Sequence, residues 1–152
     1  MITLQRSRYD DPDFVLLTGQ LDADLRARYL TQQEQFTPLN KMDEAVKVLI
    51  ARSQSTAIAC GALRPMKEKN VIELKRMFVQ PAFRGQGISR QLLEELEQWA
   101  AEEGFTVVRL ETGNKQPEAI SLYQKGGYRI IPPYGPYQDI ESSICMEKRL
   151  GG

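Results

Sequence analysis

Two spacings of apolar residues alternate along the chain, and each change of spacing marks an element. Ile2 to Arg6 alternates apolar with polar side chains, which predicts a short first strand. From Asp11-Pro12 the spacing lengthens. Phe14, Leu17, Leu21 and Leu25 recur every third or fourth position, the stripe of a helix with proline at its start. Gln32 to Asn40 is polar and contains Pro38, so a loop is expected there. Ala45 to Ala51 (AVKVLIA) and Thr56 to Leu63 read as strands around a Ser53-Gln54-Ser55 turn. Val71 to Val79 (VIELKRMFV) is a third apolar run, ended by Pro81.

After that proline the period changes again. Ile88, Leu92, Leu93, Leu96, Trp99 and Ala100 fall on one helical side, and Glu94, Glu95, Gln98 and Glu102 on the other, with Gly104 as the stop. Phe105 to Thr112 predicts a strand, and Pro117 to Lys125 a short helix closed by Gly126-Gly127. Tyr128 to Ile131 and Ser142 to Lys148 predict the last strands, joined through Pro132 to Asp139. A run of strands followed by strand–loop–helix–strand–helix–strand predicts a mixed α/β (α+β) sheet flanked by helices. At 152 residues, a single domain spanning 1–152 is expected.

Composition removes several function classes. Lys plus Arg and Asp plus Glu both total 20, so no average charge marks the chain for nucleic acid or for an anionic membrane surface. The opening MITLQRSRYDDPDF brings charges before any apolar run, unlike a secretory signal, and no stretch approaches the ~20 apolar residues of a membrane-spanning helix. Cys60 and Cys145 both sit in apolar segments, the pattern of buried thiols in a reducing cytoplasm. The chain has no histidine, which excludes Ser-His-Asp and Cys-His catalysis. With no CxxC pair either, no metal site is expected.

The informative unit is the strand VIELKRMFV, the loop QPAFRGQG and the helix ISRQLLEELEQWA. Gly85 and Gly87 let backbone N–H groups approach a ligand with no side chain between. The loop feeds a helix N-terminus, where unpaired amides and the helix dipole favour an anion, and Arg84 adds a positive charge. A phosphate or pyrophosphate is the natural ligand. GxxxxGK[S/T] is missing, and Arg90 stands where a GxGxxG fingerprint needs its third glycine, so neither usual nucleotide pattern fits. A plain tight turn accounts equally well for RGQG taken alone.

Val79-x-Pro81-x-x-Arg84-Gly85-x-Gly87 resembles the acetyl-CoA-binding motif of the GCN5-related N-acetyltransferases (GNAT). The family pattern Q/R-x-x-G-x-G/A falls on Arg84, Gly87 and Ser89, with serine in place of the usual glycine or alanine. Downstream, Ala119-Ile120-Ser121-Leu122-Tyr123-Gln124-Lys125-Gly126-Gly127-Tyr128 resembles the family's A-x-x-L-Y-x-x-x-G-F/Y segment. The asparagine often found three residues before that alanine is replaced by Gln116, with Asn114 as a nearby substitute.

The resemblance implies a central twisted sheet of six to seven strands, mixed but mostly antiparallel, with about four helices. It implies acetyl-CoA as donor, with the pantetheine arm on backbone groups of Met77, Phe78 and Val79. The pyrophosphate would rest on the amides of Arg84, Gly85, Gln86, Gly87, Ile88 and Ser89. Tyr123 resembles the tyrosine that protonates the departing thiolate, and Glu73 occupies the position of the base in some members. Period-two alternation puts Glu73 on one strand face with Lys75, Met77 and Val79, and a surface Glu73–Lys75 ion pair is the alternative reading. Glu111 on the next strand is a second carboxylate, and ordered water is a third route to the proton.

The expected partners are therefore acetyl-CoA and a small-molecule or amino-acid-like amine in a cytoplasmic monomer or homodimer. A catalytically silent acyl-CoA sensor, or an enzyme acting on a protein N-terminus or lysine, is the alternative. Pro132 to Asp139, with three prolines and two tyrosines, reads first as a rigid hairpin connection and second as a wall of the acceptor pocket.

Overall fold

The computed structural model describes residues 1–29 and 42–151. The loop expected over Gln32 to Asn40 lies outside the described residues. The elements follow in the order β1 (Ile2–Ser7), α1 (Pro12–Tyr29), β2 (Lys47–Ser53), β3 (Thr56–Pro65), β4 (Val71–Val79), α2 (Ile88–Glu102), β5 (Val107–Gly113), α3 (Pro117–Lys125), β6 (Arg129–Ile131) and β7 (Ser143–Arg149). Two single 3₁₀ turns, Pro81–Phe83 and Gly135–Tyr137, complete the described set.

The strands form one seven-stranded sheet in the order β1-β2-β3-β4-β5-β7-β6. All neighbours are antiparallel except β4 and β5, which run parallel. Each strand face has its own core. Leu49, Ile58, Leu63, Ile72, Leu74 and Val79 pack with Leu92, Leu93 and Leu96 of α2. Val48, Ile50, Cys60, Ala62 and Phe78 pack with Phe14, Leu17 and Leu21 of α1. Asp11 caps α1 by accepting the Asp13 N–H (2.9 Å), and Ser7 Oγ donates to its other oxygen (2.5 Å). Trp99, expected on the apolar side of α2, is only partly buried, and the Arg6 guanidinium stacks 4.7 Å from its ring centroid.

The alternation expected along β4 does not hold. The ladder to β3 pairs Ala62 with Lys75 and Cys60 with Phe78, so Arg76 and Met77 together oppose Gly61. Arg76 takes φ +60, a conformation that costs a side-chain-bearing residue about 1–2 kcal/mol. The extra residue reverses the parity of the strand. Glu73 and Lys75 point away from the α2 core, whereas Met77 and Val79 pack into it and Phe78 joins the α1 core. Glu73 therefore does not share a face with Met77 and Val79. Two contacts hold the bulge. The Cys60 thiol donates to the Arg76 carbonyl (3.4 Å), and the Arg76 guanidinium donates to Thr18 C=O (2.9 Å) and Asp22 (2.8 Å) on α1. Gly61 leaves room opposite it: a Cβ there would lie 2.5 Å from Met77 Sδ and 2.8 Å from Leu96 Cδ1, so those side chains would have to shift.

Candidate active site

β4 and β5 are laddered only from Val71 to Leu74 and from Val107 to Leu110. Past that point no β5 residue partners the β4 edge, and the two strand ends flank a pair of cavities. One lies over the glycine loop and is about 330 Å³. Met77, Phe78, Val79, Arg84, Gly85, Gly87, Ile88, Ser89 and Tyr123, nine of the expected donor-site residues, line it. Gln86 is exposed in the same loop. Asn114 is exposed and lines neither cavity. Gln116 lines both.

The loop geometry follows from its sequence. Gly85 and Gly87 adopt φ +80 and +78, and a Cβ on either would meet no atom within 4 Å, so the space above them is open. The first helical bond of α2 runs from Gln91 N–H to Gly87 C=O (3.1 Å). The amides of Ile88, Ser89 and Arg90 precede it and have no helical acceptor. No side chain caps this end. The arrangement presents consecutive N–H groups to an anion. Arg84 folds back over β4, its Nε donating to Val79 C=O (2.9 Å) and its guanidinium lying 5.7 Å from the Phe78 ring centroid.

The second cavity is about 110 Å³ and lies between α1, β4, β5 and α3. Leu21, Leu25, Leu74 and Ala119 give it apolar walls, and Lys75, Arg76, Glu111 and Tyr137 supply polar groups. Tyr137 comes from the Pro132 to Asp139 segment, which is thus both the β6–β7 connection and a wall of the cavity. Two bonds seat it, with Lys75 Nζ donating to Tyr137 Oη (3.0 Å) and Tyr134 Oη donating to Glu73 (2.7 Å). Glu73 is buried, lies 3.5 Å from Lys75 Nζ, and is not part of the cavity lining. Burial lowers the Lys75 pKa from its ordinary value, with Glu73 and Glu111 pulling it back up. Glu111 does face the cavity. Burial raises its pKa above the usual carboxylate range, against the Ser143 hydroxyl that donates to it (2.6 Å).

The two cavities share a wall made of Leu21, Met77, Gln116, Ala119 and Tyr123. The Tyr123 ring is buried and meets Tyr128 edge-on, with centroids 5.8 Å apart. Burial, and then the charge of Glu111, push the Tyr123 pKa up, so the phenol keeps its proton at neutral pH. The thiols are unsuited to nucleophilic work. Cys60 is pushed up to about 12 by burial, and Cys145 is raised by the same cause. The sequence puts Gln116 at the motif's asparagine position but does not single out Arg76. The adjacent charges Lys75-Arg76 inside an apolar strand are the one sign there of a broken period.

Residues 13–128 match the family model described as Acetyltransferase (GNAT) family. The chain belongs to the GNAT acetyltransferase family. It is an acyltransferase by that membership, and its relatives carry related descriptions. The IAA acetyltransferase of Azospirillum brasilense is 36% identical over 150 residues, covering 98% of each chain. A Klebsiella pneumoniae structure assigned as an acyl-CoA N-acyltransferase aligns with a TM-score of 0.83 at 34% identity, over 99% of this chain and 98% of that one. A GNAT acetyltransferase of Elizabethkingia anophelis with acetyl-CoA bound shares the fold, with a TM-score of 0.69 at 24% identity over 98% of each chain. Among the described residues no helix is long and apolar enough to cross a membrane.

Proposed function

We propose that this GNAT protein transfers the acetyl group of acetyl-CoA to the primary amine of a small-molecule or amino-acid-like acceptor by direct attack in a ternary complex. The carrying observation is the wall shared by the two cavities, on which Tyr123 meets both. In this reading the glycine-loop cavity takes the donor. The amides of Arg84 through Ser89 hold the pyrophosphate, and the backbone of Met77 to Val79 lies along the pantetheine arm. The bound acetyl-CoA of the Elizabethkingia relative supports that choice of donor.

The acceptor occupies the smaller cavity, where orientation replaces a bimolecular encounter. Its nitrogen attacks the thioester carbonyl carbon, the C–S bond breaks, and the CoA sulfur takes the proton of the Tyr123 hydroxyl. The attacking ammonium must first lose a proton to a carboxylate. Glu73 is one candidate and acts from behind the cavity lining, through an intervening group. Glu111 acts from the lining itself.

A thermal-shift titration with acetyl-CoA, CoA, ATP and NAD tests the donor assignment on wild type and Gly87→Trp. At ~100 times Kd a ligand of the folded state adds about 2.7 kcal/mol, so acetyl-CoA and CoA should raise Tm. The indole of Gly87→Trp fills the space above the loop and should abolish the rise. Stabilisation by ATP or NAD with no response to either CoA species would overturn the assignment.

A further inference from the structure

Charge pairing around the acceptor cavity narrows the class of amine it takes, an inference that rests on the donor and acceptor assignment above. The ionisable groups arrive from several elements. β4 contributes Glu73, Lys75 and Arg76, β3 Arg64, which lies opposite Glu73 and acts on Lys75, β5 Glu111, α1 Asp22, α3 Tyr123, β7 Cys145, and the β6–β7 connection Tyr134 and Tyr137. Arg76 is paired with Asp22 at 2.8 Å. Lys75 lies 3.5 Å from Glu73 and donates to Tyr137 at 3.0 Å. Each of these cations has its own carboxylate. Glu111 has none of its own to face: its hydrogen-bond donor is the neutral Ser143 hydroxyl at 2.6 Å, and among the described residues it forms no ion pair.

Among the described residues, Glu111 is thus the charged side chain of the cavity lining that no ion pair engages. A carboxylate drawn out of water without a counter-charge is costly, and the cost is relieved by a proton or by an incoming cation. Its affinity for protons is raised in this way, burial being the main cause and the charge of Glu73 a further one, with Ser143 and Lys75 opposing. We propose that the acceptor is a small monocationic amine with no carboxylate beside its nitrogen, and that Glu111 receives its ammonium group and takes its proton.

A zwitterion fits this cavity poorly. It brings as much negative charge as positive, and its carboxylate reaches Lys75 or Arg76 only in competition with Glu73 or Asp22. The apolar walls of Leu21, Leu25 and Leu74 suit a hydrocarbon stem. The volume of about 110 Å³, a third of that over the glycine loop, suits a short stem. The protons balance. One leaves the ammonium for Glu111 before attack, and a second leaves the nitrogen as the tetrahedral adduct collapses. One proton is taken up by the departing sulfur, through Tyr123, and the other passes to solvent as Glu111 resets.

The test is a thiol-release assay with acetyl-CoA on matched acceptors, ethylamine against glycine and isopropylamine against alanine, each pair exchanging a methyl for a carboxylate. In wild type kcat/KM should favour the plain amine by at least about tenfold in both pairs. Glu111→Gln should lower kcat/KM for ethylamine at least ~100-fold and remove the acidic limb of its pH profile. Acetyl-CoA affinity, read by calorimetry on the same samples, should stay unchanged. Glycine or alanine matching its amine would overturn the proposal, as would full activity in Glu111→Gln. Failure to turn over either member of either pair while acetyl-CoA still binds overturns it too. Loss of acetyl-CoA binding in wild type would instead sink the donor assignment on which it rests.

Discussion

The cleft proposed for the donor and the cavity proposed for the acceptor meet at one wall but are built in opposite ways. The first is made of neighbours in sequence: a strand end, the loop from Arg84 to Gly87, and the first turn of α2. Its chemistry is mostly backbone, amides left over where a helix begins. The acceptor cavity takes single side chains from α1, β4, β5, α3 and the β6–β7 connection. Its key bonds join residues far apart in the chain, Lys75 to Tyr137 and Glu73 to Tyr134. A site made of backbone tolerates change in side chains, whereas a site made of scattered side chains changes with any one of them.

Substitutions at and behind the common wall test how separate the two halves are. Tyr123→Phe should have the largest effect, because in the proposed reaction the phenol proton is used where the halves meet. A loss of kcat of about 10²–10⁴ is expected, with acetyl-CoA affinity within about twofold of wild type. Loss of donor binding instead would make Tyr123 a packing residue of the donor cleft. Gly61→Ala comes next. Its Cβ would collide with Met77 Sδ and Leu96 Cδ1, so Met77, which lines both cavities, has to move. We expect about 1–3 kcal/mol lost in chemical denaturation, and KM raised for donor and acceptor together. A change in only one KM would show that Met77 serves only one half.

Glu111→Gln should have the smallest effect on stability, and of opposite sign. A carboxyl whose folded pKa exceeds its unfolded value contributes fully below the unfolded pKa, and loses that contribution as pH rises through the folded one. At pH 7, above the unfolded pKa, Glu111 is therefore a cost to the fold. Tm of Glu111→Gln should exceed wild type at neutral pH, and the gap should close below about pH 4. A lower Tm at pH 7 would mean that Glu111 is a structural residue rather than a strained functional one.

Much of the donor half was legible before the structure. β4 has the bounds of its apolar run before Pro81, α3 has those set by Pro117 and Gly126-Gly127, and Gly85 and Gly87 take the positive φ that only glycine adopts cheaply. Local physics decides such features, so local sequence reports them. The bulge was not legible, because an arginine rather than a glycine takes the positive φ, and the contacts that hold it come from Asp22 and Cys60. Nor does the sequence rank Glu73 against Glu111. Both are single carboxylates on neighbouring strands, and only the meeting of β5 with α1 and the β6–β7 connection puts Glu111 on the cavity lining. The same holds for Gln116 over Asn114, two residues apart at the turn into α3.

The odd residue in β4 has an evolutionary consequence. A regular strand obeys one rule of alternation, so a change of register at one end is felt as an exchange of faces at the other. With Arg76 as a spare link, the segments on either side answer to different neighbours, Glu73 and Lys75 to the tyrosine-bearing connection, Met77 and Val79 to α2 and Phe78 to α1. The strand behaves as two short modules on one hinge, and the acceptor end can be rewritten by drift while the donor end keeps its form.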